Sequence, residues 1–183
     1  SMCRPTGSCF MDGSCYRHEI AELSRAGWSV IFYNSKGALT RGLYGSVPGH
    51  LRQPAQAGEY SAYAGACVNL EEATTGYSDC KGVINAHKMP LHLRLSGRRA
   101  HSATCRVAAT ADGFVHLRDL VKVKAHQEWK DMISDQDKFL FIGNEAADKF
   151  AKAGANLHGL DPKVRRDADW LLKEAKMVAA LIV

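Results

Sequence analysis

Four acidic residues, each in a different local setting, are the groups in this 183-residue chain best suited to do chemistry. Asp12 opens an Asp12-Gly13-Ser14 triplet inside an apolar, strand-like run. Glu59 falls at the start of a small-residue helix, and Asp79 follows a short β-like run over residues 73–78. Asp148 comes after Gly143-Asn144-Glu145, in what reads as the first turns of another helix. Carboxylates far apart in sequence, each near the end of a regular element, can converge on one point. A lone charge on Asp12 is costly to bury in an apolar strand, and a cation beside it would make it tolerable. Near a helix N-terminus Asp148 would gain from the helix dipole, which favours the ionised form a metal needs. Oxygen-only donors select magnesium or manganese over zinc or copper. Two such cations can clamp the attacking and leaving oxygens of a phosphodiester.

The composition narrows the class further. With 46% hydrophobic and 23% charged residues the chain is an ordinary globular one, long enough for a single well-buried core. The net charge of +5 points only weakly to an anionic partner. Its distribution says more: residues 81–111 contain no Asp or Glu, yet hold Lys81, Lys88, Arg94, Arg98, Arg99 and Arg106. Such a run is either a solvated helix face or a surface that tracks phosphates. Six cysteines without a C-x-x-C pair argue against a zinc site. Their mostly apolar or small neighbours read as free thiols in a reducing, intracellular compartment, nucleus or cytoplasm. The start lacks the apolar segment of a signal peptide, and the apolar run over residues 177–183 is too short to span a bilayer, so no membrane partner is expected.

Patterning supplies the elements that must hold these residues. Residues 8–16, 28–33 and 38–45 read as an antiparallel meander, with Asn34-Ser35-Lys36-Gly37 as the second turn. A helix follows over residues 55–70. Its Tyr60, Ala64, Cys67 and Val68 recur at helical spacing towards the sheet, and Glu59 is one step off that face in the first turn. Then come a strand at 74–78, a helix at 80–88, another at about 99–109, a strand at 120–125 leading to His126, a helix from Asn144, and a last helix over residues 161–183. The implied fold class is α/β: a five-stranded mixed sheet, three antiparallel strands then parallel ones, with helices on both faces. Asp12 belongs on the central strand. Asp79 belongs at the end of the neighbouring parallel strand, where such sheets usually carry their sites.

Taken in order, Met11-Asp12-Gly13-Ser14, Gln56-x-x-Glu59, Ser78-Asp79, Val123-Lys124-Ala125-His126 and Gly143-Asn144-Glu145-Ala146-Ala147-Asp148-Lys149 resemble type 1 ribonuclease H, in its cellular and retroelement forms, over residues 8–157. The resemblance implies a ribonuclease H-like fold and an endonuclease that hydrolyses the RNA strand of RNA–DNA hybrids to 5′-phosphate products. It implies Asp12, Glu59, Asp79 and Asp148 as catalytic ligands of two Mg2+ ions, for which Mn2+ can substitute, with Asp12 bridging both. His126 would be a mobile catalytic-support residue; a structural histidine at a strand end is the alternative. Gly13, Ser14 and Cys15, through their backbone, and Gln56 would read RNA 2′-hydroxyls in the shallow minor groove. Gly13 allows that close approach, or simply forms a bulge. The basic stretch occupies the position of the family's handle, with Arg98 and Arg99 gripping the DNA strand. Contacts of this kind carry no sequence-specific reading.

The chain also departs from that family's pattern. Residues 16–27 replace a short Gly/Pro-rich turn, Ala55 stands where an Asn is usual, and Cys80 stands where a hydroxyl residue often follows the third carboxylate. His126 and Asp148 are 148 − 126 = 22 positions apart, more than in cellular members. The extra loop, residues 127–142, carries Glu128, Asp131, Asp135 and Asp137, and could tune metal binding, cover the cleft or meet another domain. The expected organisation is a flexible, tag-like N-terminus at 1–7, the catalytic domain at 8–157 and a helical extension at 158–183, with Trp170, Leu171 and Leu172 on its inner side. A retroelement polyprotein containing a reverse transcriptase is the expected parent. The competing readings are another two-metal nuclease or transposase core of the same fold, and a catalytically silent hybrid-binding or tethering domain.

Overall fold

Alternation along the first strand, Gly7–Tyr16 (β1), serves two layers at once. Cys9 and Met11 point into one core and Phe10 into another, and all three are buried. A strand covered on both faces needs this pattern. In the computed structural model, which describes residues 7–49, 51–125, 127–159 and 161–182, β1 is the centre of a five-stranded sheet. The other strands are Arg25–Tyr33 (β2), Leu39–Ser46 (β3), Thr74–Ser78 (β4) and Leu117–Lys122 (β5), in the order β3-β2-β1-β4-β5. The first three pair antiparallel; β4 and β5 add on in parallel. Gly37, at φ +76°, and the Asn34 side chain, which accepts from the N–H groups of Lys36 and Ala38, close the β2–β3 turn.

Helices lie on both faces. Ala55–Asn69 (α1), Lys81–Lys88 (α2), Leu91–Arg94 (α3) and Ser102–Thr110 (α4) lie on one side, where Ala62, Tyr63 and Cys67 meet Met11, Val30 and Leu120. Asp135–Asn156 (α5) covers the other, over Phe10 and Ile31. Phe10 stacks on Tyr77 at 4.9 Å and meets the edges of Phe139 and Tyr33 at 5.4 and 5.6 Å. Each such pair adds about 0.5–1.5 kcal/mol beyond its buried area. The last helix, Pro162–Ile182 (α6), reaches the body through His18–Asp169 at 2.9 Å and Lys176–Glu19 at 2.6 Å.

Several sequence expectations need correction. Helix α5 begins at Asp135, not at Asn144, so half of the expected loop 127–142 is helical. Ser134 and Asp137 form a capping box there. Gly143 is no helix opener but an interior residue seated on the Phe10 ring, which a Cβ would overlap. Strand β5 starts at Leu117 rather than Leu120. A bulge between its first two pairings lets Leu117 and Leu120, three apart, both face the core, which breaks the period of two. On α1 the buried face is Ala62, Tyr63, Ala66 and Cys67, with Glu59 on it, while Val68 is exposed. On α6, Trp170 and Leu171 are exposed rather than inward. Finally, Arg94 is not part of a basic surface. It is buried under the Phe114 ring and donates to the carbonyls of His87 and Met89 and to Tyr63 Oη.

Candidate active site

Strand register brings the carboxylates together. Phe10 lies opposite Tyr77 in the parallel β1–β4 pair, so Asp12 and Asp79, each two residues on, stand at the same level. Ser78 Oγ accepts from the Cys80 N–H at 3.0 Å and turns the chain at Asp79 into α2. Glu59 arrives from the second turn of α1, which crosses β1 backbone to backbone. A Cβ on Gly13 would overlap Gly58 and Glu59 and lie 2.9 Å from the Ala55 carbonyl. Gly13 therefore lets α1 come close enough for Glu59 to enter the cluster, and its backbone amide works against the upward shift of both the Asp12 and Glu59 carboxyls.

One oxygen from each of Asp12, Glu59 and Asp79 lies within 4.8 Å of the other two. Asp12 and Glu59 are 7% and 9% exposed, so water does little to separate the charges. Burial first, then the charges of Asp79 and Asp148, push the Asp12 carboxyl up to about 7. Burial, then Asp12 and Asp79, push Glu59 up to about 9. Glu59 Oε2 is buried and, among the described residues, has no hydrogen-bond partner, a loss of about 1–3 kcal/mol for an acceptor removed from water. A hard cation at this point would relieve both the repulsion and the orphaned oxygen. The all-oxygen donor set fits magnesium or manganese.

Asp148 stands beside this trio rather than in it. Ser29, opposite Asp12 across the β1–β2 pair, donates its buried hydroxyl to the Ala147 carbonyl at 2.6 Å. That bond sets α5 at the height of Asp12 and brings Asp148 near enough to raise Asp12 by repulsion. Asp148 Oδ2 pairs with Lys152 Nζ at 2.6 Å, one helical turn on. The expected help from a helix N-terminus is not there: Asp148 lies beyond the midpoint of α5, and Lys152 supplies the nearby positive charge instead. Sequence reasoning missed Lys152, although the Asp148-x-x-x-Lys152 spacing is a legible signal. It also missed Ser29, whose role depends on a strand pairing invisible in one sequence.

The other expected residues divide. Ser14 follows Gly13 on β1, Cys15 donates its thiol to the Gln53 carbonyl at 2.8 Å, and Gln56 is exposed in the first turn of α1. Arg98 and Arg99 are exposed on the segment between α3 and α4, with Arg99 against the Met89 sulfur. That segment is fixed to α1 by the stacking of His101 on Tyr60 at 4.6 Å. His126 lies outside the described residues.

No protein-family model matches the chain, and no curated protein matches it. Solved structures do. The RNase H domain of prototype foamy virus superposes with a TM-score of 0.60 at 18% identity, covering 82% of this chain and 94% of that one. The native protease–reverse transcriptase of prototype foamy virus gives 0.62 at 16% identity, over 88% of this chain. This chain spans only 22% of that longer polypeptide. LC9-RNase H1, described as a type 1 RNase H with the type 2 active-site motif, gives 0.62 at 14% identity, over 85% of this chain and 74% of its own.

The chain has the ribonuclease H fold.

Within the ribonuclease H fold as this sequence builds it, Asp12, Glu59 and Asp79 converge through strand register and a glycine crossing. Asp148 is brought alongside by the Ser29–Ala147 bond. Among the described residues no helix is long and apolar enough to cross a membrane.

Proposed function

We propose that this protein is a divalent-metal-dependent endonuclease that hydrolyses the RNA strand of RNA–DNA hybrids and leaves 5′-phosphate ends. One observation carries the reading: three carboxylates within 4.8 Å of one another, one with a buried oxygen that has no partner among the described residues. Two buried acids, Asp12 and Glu59, raised so far from their ordinary range are a burden to the fold unless a cation uses them. Asp12, Glu59, Asp79 and Asp148 are the residues that would hold two magnesium ions, with manganese as a substitute. When bound, these would supply Lewis-acid activation of water and neutralise charge on the departing 3′ oxygen.

The chain's own residues do the rest. The Gly13 N–H steadies the ionised forms of Asp12 and Glu59, and Lys152 holds Asp148 until a stronger cation competes for it. The Gly13–Cys15 backbone and Gln56 read 2′-hydroxyls, Arg98 and Arg99 contact the DNA strand, and His126 assists water positioning or product departure. The likeness to one part of a viral protease–reverse transcriptase supports a larger polypeptide, with a reverse transcriptase or another domain as neighbour, and the free thiols fit an intracellular compartment.

The test is a gel assay on labelled RNA–DNA hybrid, duplex RNA and duplex DNA. The expected result is cleavage of the hybrid's RNA in magnesium or manganese, intact duplex DNA, and arrest by chelator. Hybrid binding without cleavage in either metal would overturn the enzymatic reading and leave a silent binding domain.

A further inference from the structure

Beyond the carboxylates, β1 runs on to a second concave site. Tyr16, Arg17, His18, Arg25, His158 and Arg165 line a cavity of about 180 Å³ between the end of β1, the end of α5 and the start of α6. Among the described residues, three arginines and two histidines line this space and no acidic side chain does. Of the acids nearby, Asp169 pairs with His18, Glu19 with Lys176, and Asp161 Oδ1 accepts from the Lys163 N–H, while Glu22, next to Leu23 of the lining, is exposed. Arg17 and Arg165 are exposed and, among the described residues, have no carboxylate partner.

The frame is held in place before any ligand arrives. Arg25 Nη1 donates to the carbonyls of Glu22 and Ser24. His18 Nδ1 accepts from the Ile20 N–H at 3.0 Å, and the His18 N–H donates to Ser24 Oγ at 3.0 Å. The ring's other nitrogen bonds Asp169 of α6 at 2.9 Å. His158 Nε2 must carry its proton, because its partner at 3.0 Å is the Ala26 carbonyl, which can only accept. The cavity is smaller than the ~300–1,000 Å³ typical of drug-sized ligands, so it suits one small group. Guanidinium forks of this kind match the oxygens of a phosphate.

Two rulers set its place relative to the carboxylates. Tyr16 is four residues past Asp12 on β1, about 13 Å at ~3.3 Å per residue. Asn156 is eight residues past Asp148 on α5, about 12 Å at 1.5 Å per residue. The two ends meet where Asn156 donates to Tyr16 Oη. With one phosphate per 3.4 Å of axis on each strand, that reach is about four nucleotide steps.

We propose that this cavity is a phosphate-binding subsite that takes one backbone phosphate of the bound hybrid, which makes α6 part of the nucleic-acid surface. The inference rests on the proposed function for its ligand, though not for its chemistry, which is that of any phosphate oxyanion.

The experiment has two arms on the full chain in chelator. Hybrid binding by fluorescence anisotropy across 50–200 mM salt is compared for wild type, Arg17→Ala, Arg165→Ala, their double variant and Arg166→Ala. Arg166 is next to Arg165 on α6 but outside the cavity. Removing one neutralised phosphate lowers the log–log slope by about 0.9. Wild type should therefore lose about 3- to 4-fold more affinity over that range than either single variant. The double variant should match the singles, since both arginines serve one phosphate, and Arg166→Ala should keep the wild-type slope. Unchanged slopes, or an equal effect from Arg166→Ala, overturn the proposal.

The second arm titrates inorganic phosphate and follows the side-chain Nε–Hε resonances of Arg17, Arg25 and Arg165 by NMR. Shifts in all three support a phosphate site. Shifts combined with unchanged hybrid slopes make it a site for free phosphate and overturn the strand assignment. Shifts in a chain that binds no hybrid sink the proposed function while supporting the phosphate chemistry.

Discussion

Replacing Glu59 by Gln keeps the side chain's shape but removes the most displaced charge in the cluster. Two ionised carboxylates 4.8 Å apart repel by about 3 kcal/mol at an effective dielectric near 20. The fold avoids that cost by keeping a proton: Glu59 is raised from 4.5 to about 9 and Asp12 from 3.8 to about 7. A pKa raised on folding gives stability that is whole below the unfolded value and lost as pH climbs through the folded one. Without metal, the decline therefore runs from about pH 4 to about pH 9. A group protonated in the fold and ionised in the unfolded chain costs about 1.4 kcal/mol per pH unit. From pH 5 to 8.5 that gives an upper bound of roughly 5 kcal/mol for Glu59, and about 3 kcal/mol once residual solvation is allowed for. For a domain of this size 3 kcal/mol is about 6–12 °C. The assay is thermal melting by circular dichroism in chelator. Glu59→Gln should melt within a degree or two of wild type at pH 5 and about 6–12 °C higher at pH 8.5. Magnesium should raise the wild-type melting temperature at pH 8.5 far more than that of the variant. A gap that stays constant with pH would refute the claim that Glu59 is held protonated by its burial and its acidic neighbours.

Asp79→Asn should abolish RNA cleavage while hybrid affinity stays within a few-fold of wild type; retention of a tenth of normal activity would mean that Asp79 is no ligand. Arg98→Ala with Arg99→Ala should weaken hybrid binding and lower its log–log salt slope by about 0.9 for each phosphate no longer neutralised. Arg94→Ala should do the opposite, dropping the melting temperature by several degrees with an unchanged salt slope, because this arginine serves buried carbonyls. Gly143→Ala should cost about 1–3 kcal/mol, read as a lower urea midpoint at constant m, since its Cβ would enter the Phe10 ring.

How much of the molecule is legible in its sequence depends on whether the signal is local. The β2–β3 turn at Asn34–Gly37 can be read because its turn chemistry lies in four adjacent residues, and β4 because it is short and bounded by Ser78-Asp79. The order of strands and the meeting of Asp12 with Asp79 follow from the meander and the parallel crossover. What resists reading is set by contacts between distant segments. The start of α5 is misplaced because Gly143 looks like a breaker. Only the Phe10 ring beneath it explains a glycine there, while the true cap is Ser134 with Asp137. The bulge that hides β5's first turn of alternation belongs to a pairing, not to the strand alone.

Arginines show the same limit in opposite directions. Arg94 sits in a one-signed basic run, yet it is buried as the keystone of the α2–α3 corner, so a charge run overcounts the surface it implies. Arg17, Arg25 and Arg165 form no run at all. They are scattered over almost 150 positions, and contacts between distant segments, among them Asp169 with His18, Asn156 with Tyr16 and His158 with the Ala26 carbonyl, bring them to a common cavity. A sequence scan weights charge by proximity along the chain, whereas a phosphate responds to proximity in space. Basic density near the carboxylates should therefore be judged from the end of β1 and the start of α6 as much as from the segment between α2 and α4. On that basis the helix that looks like an appendage is the element that completes the cationic cavity beyond the carboxylate cluster.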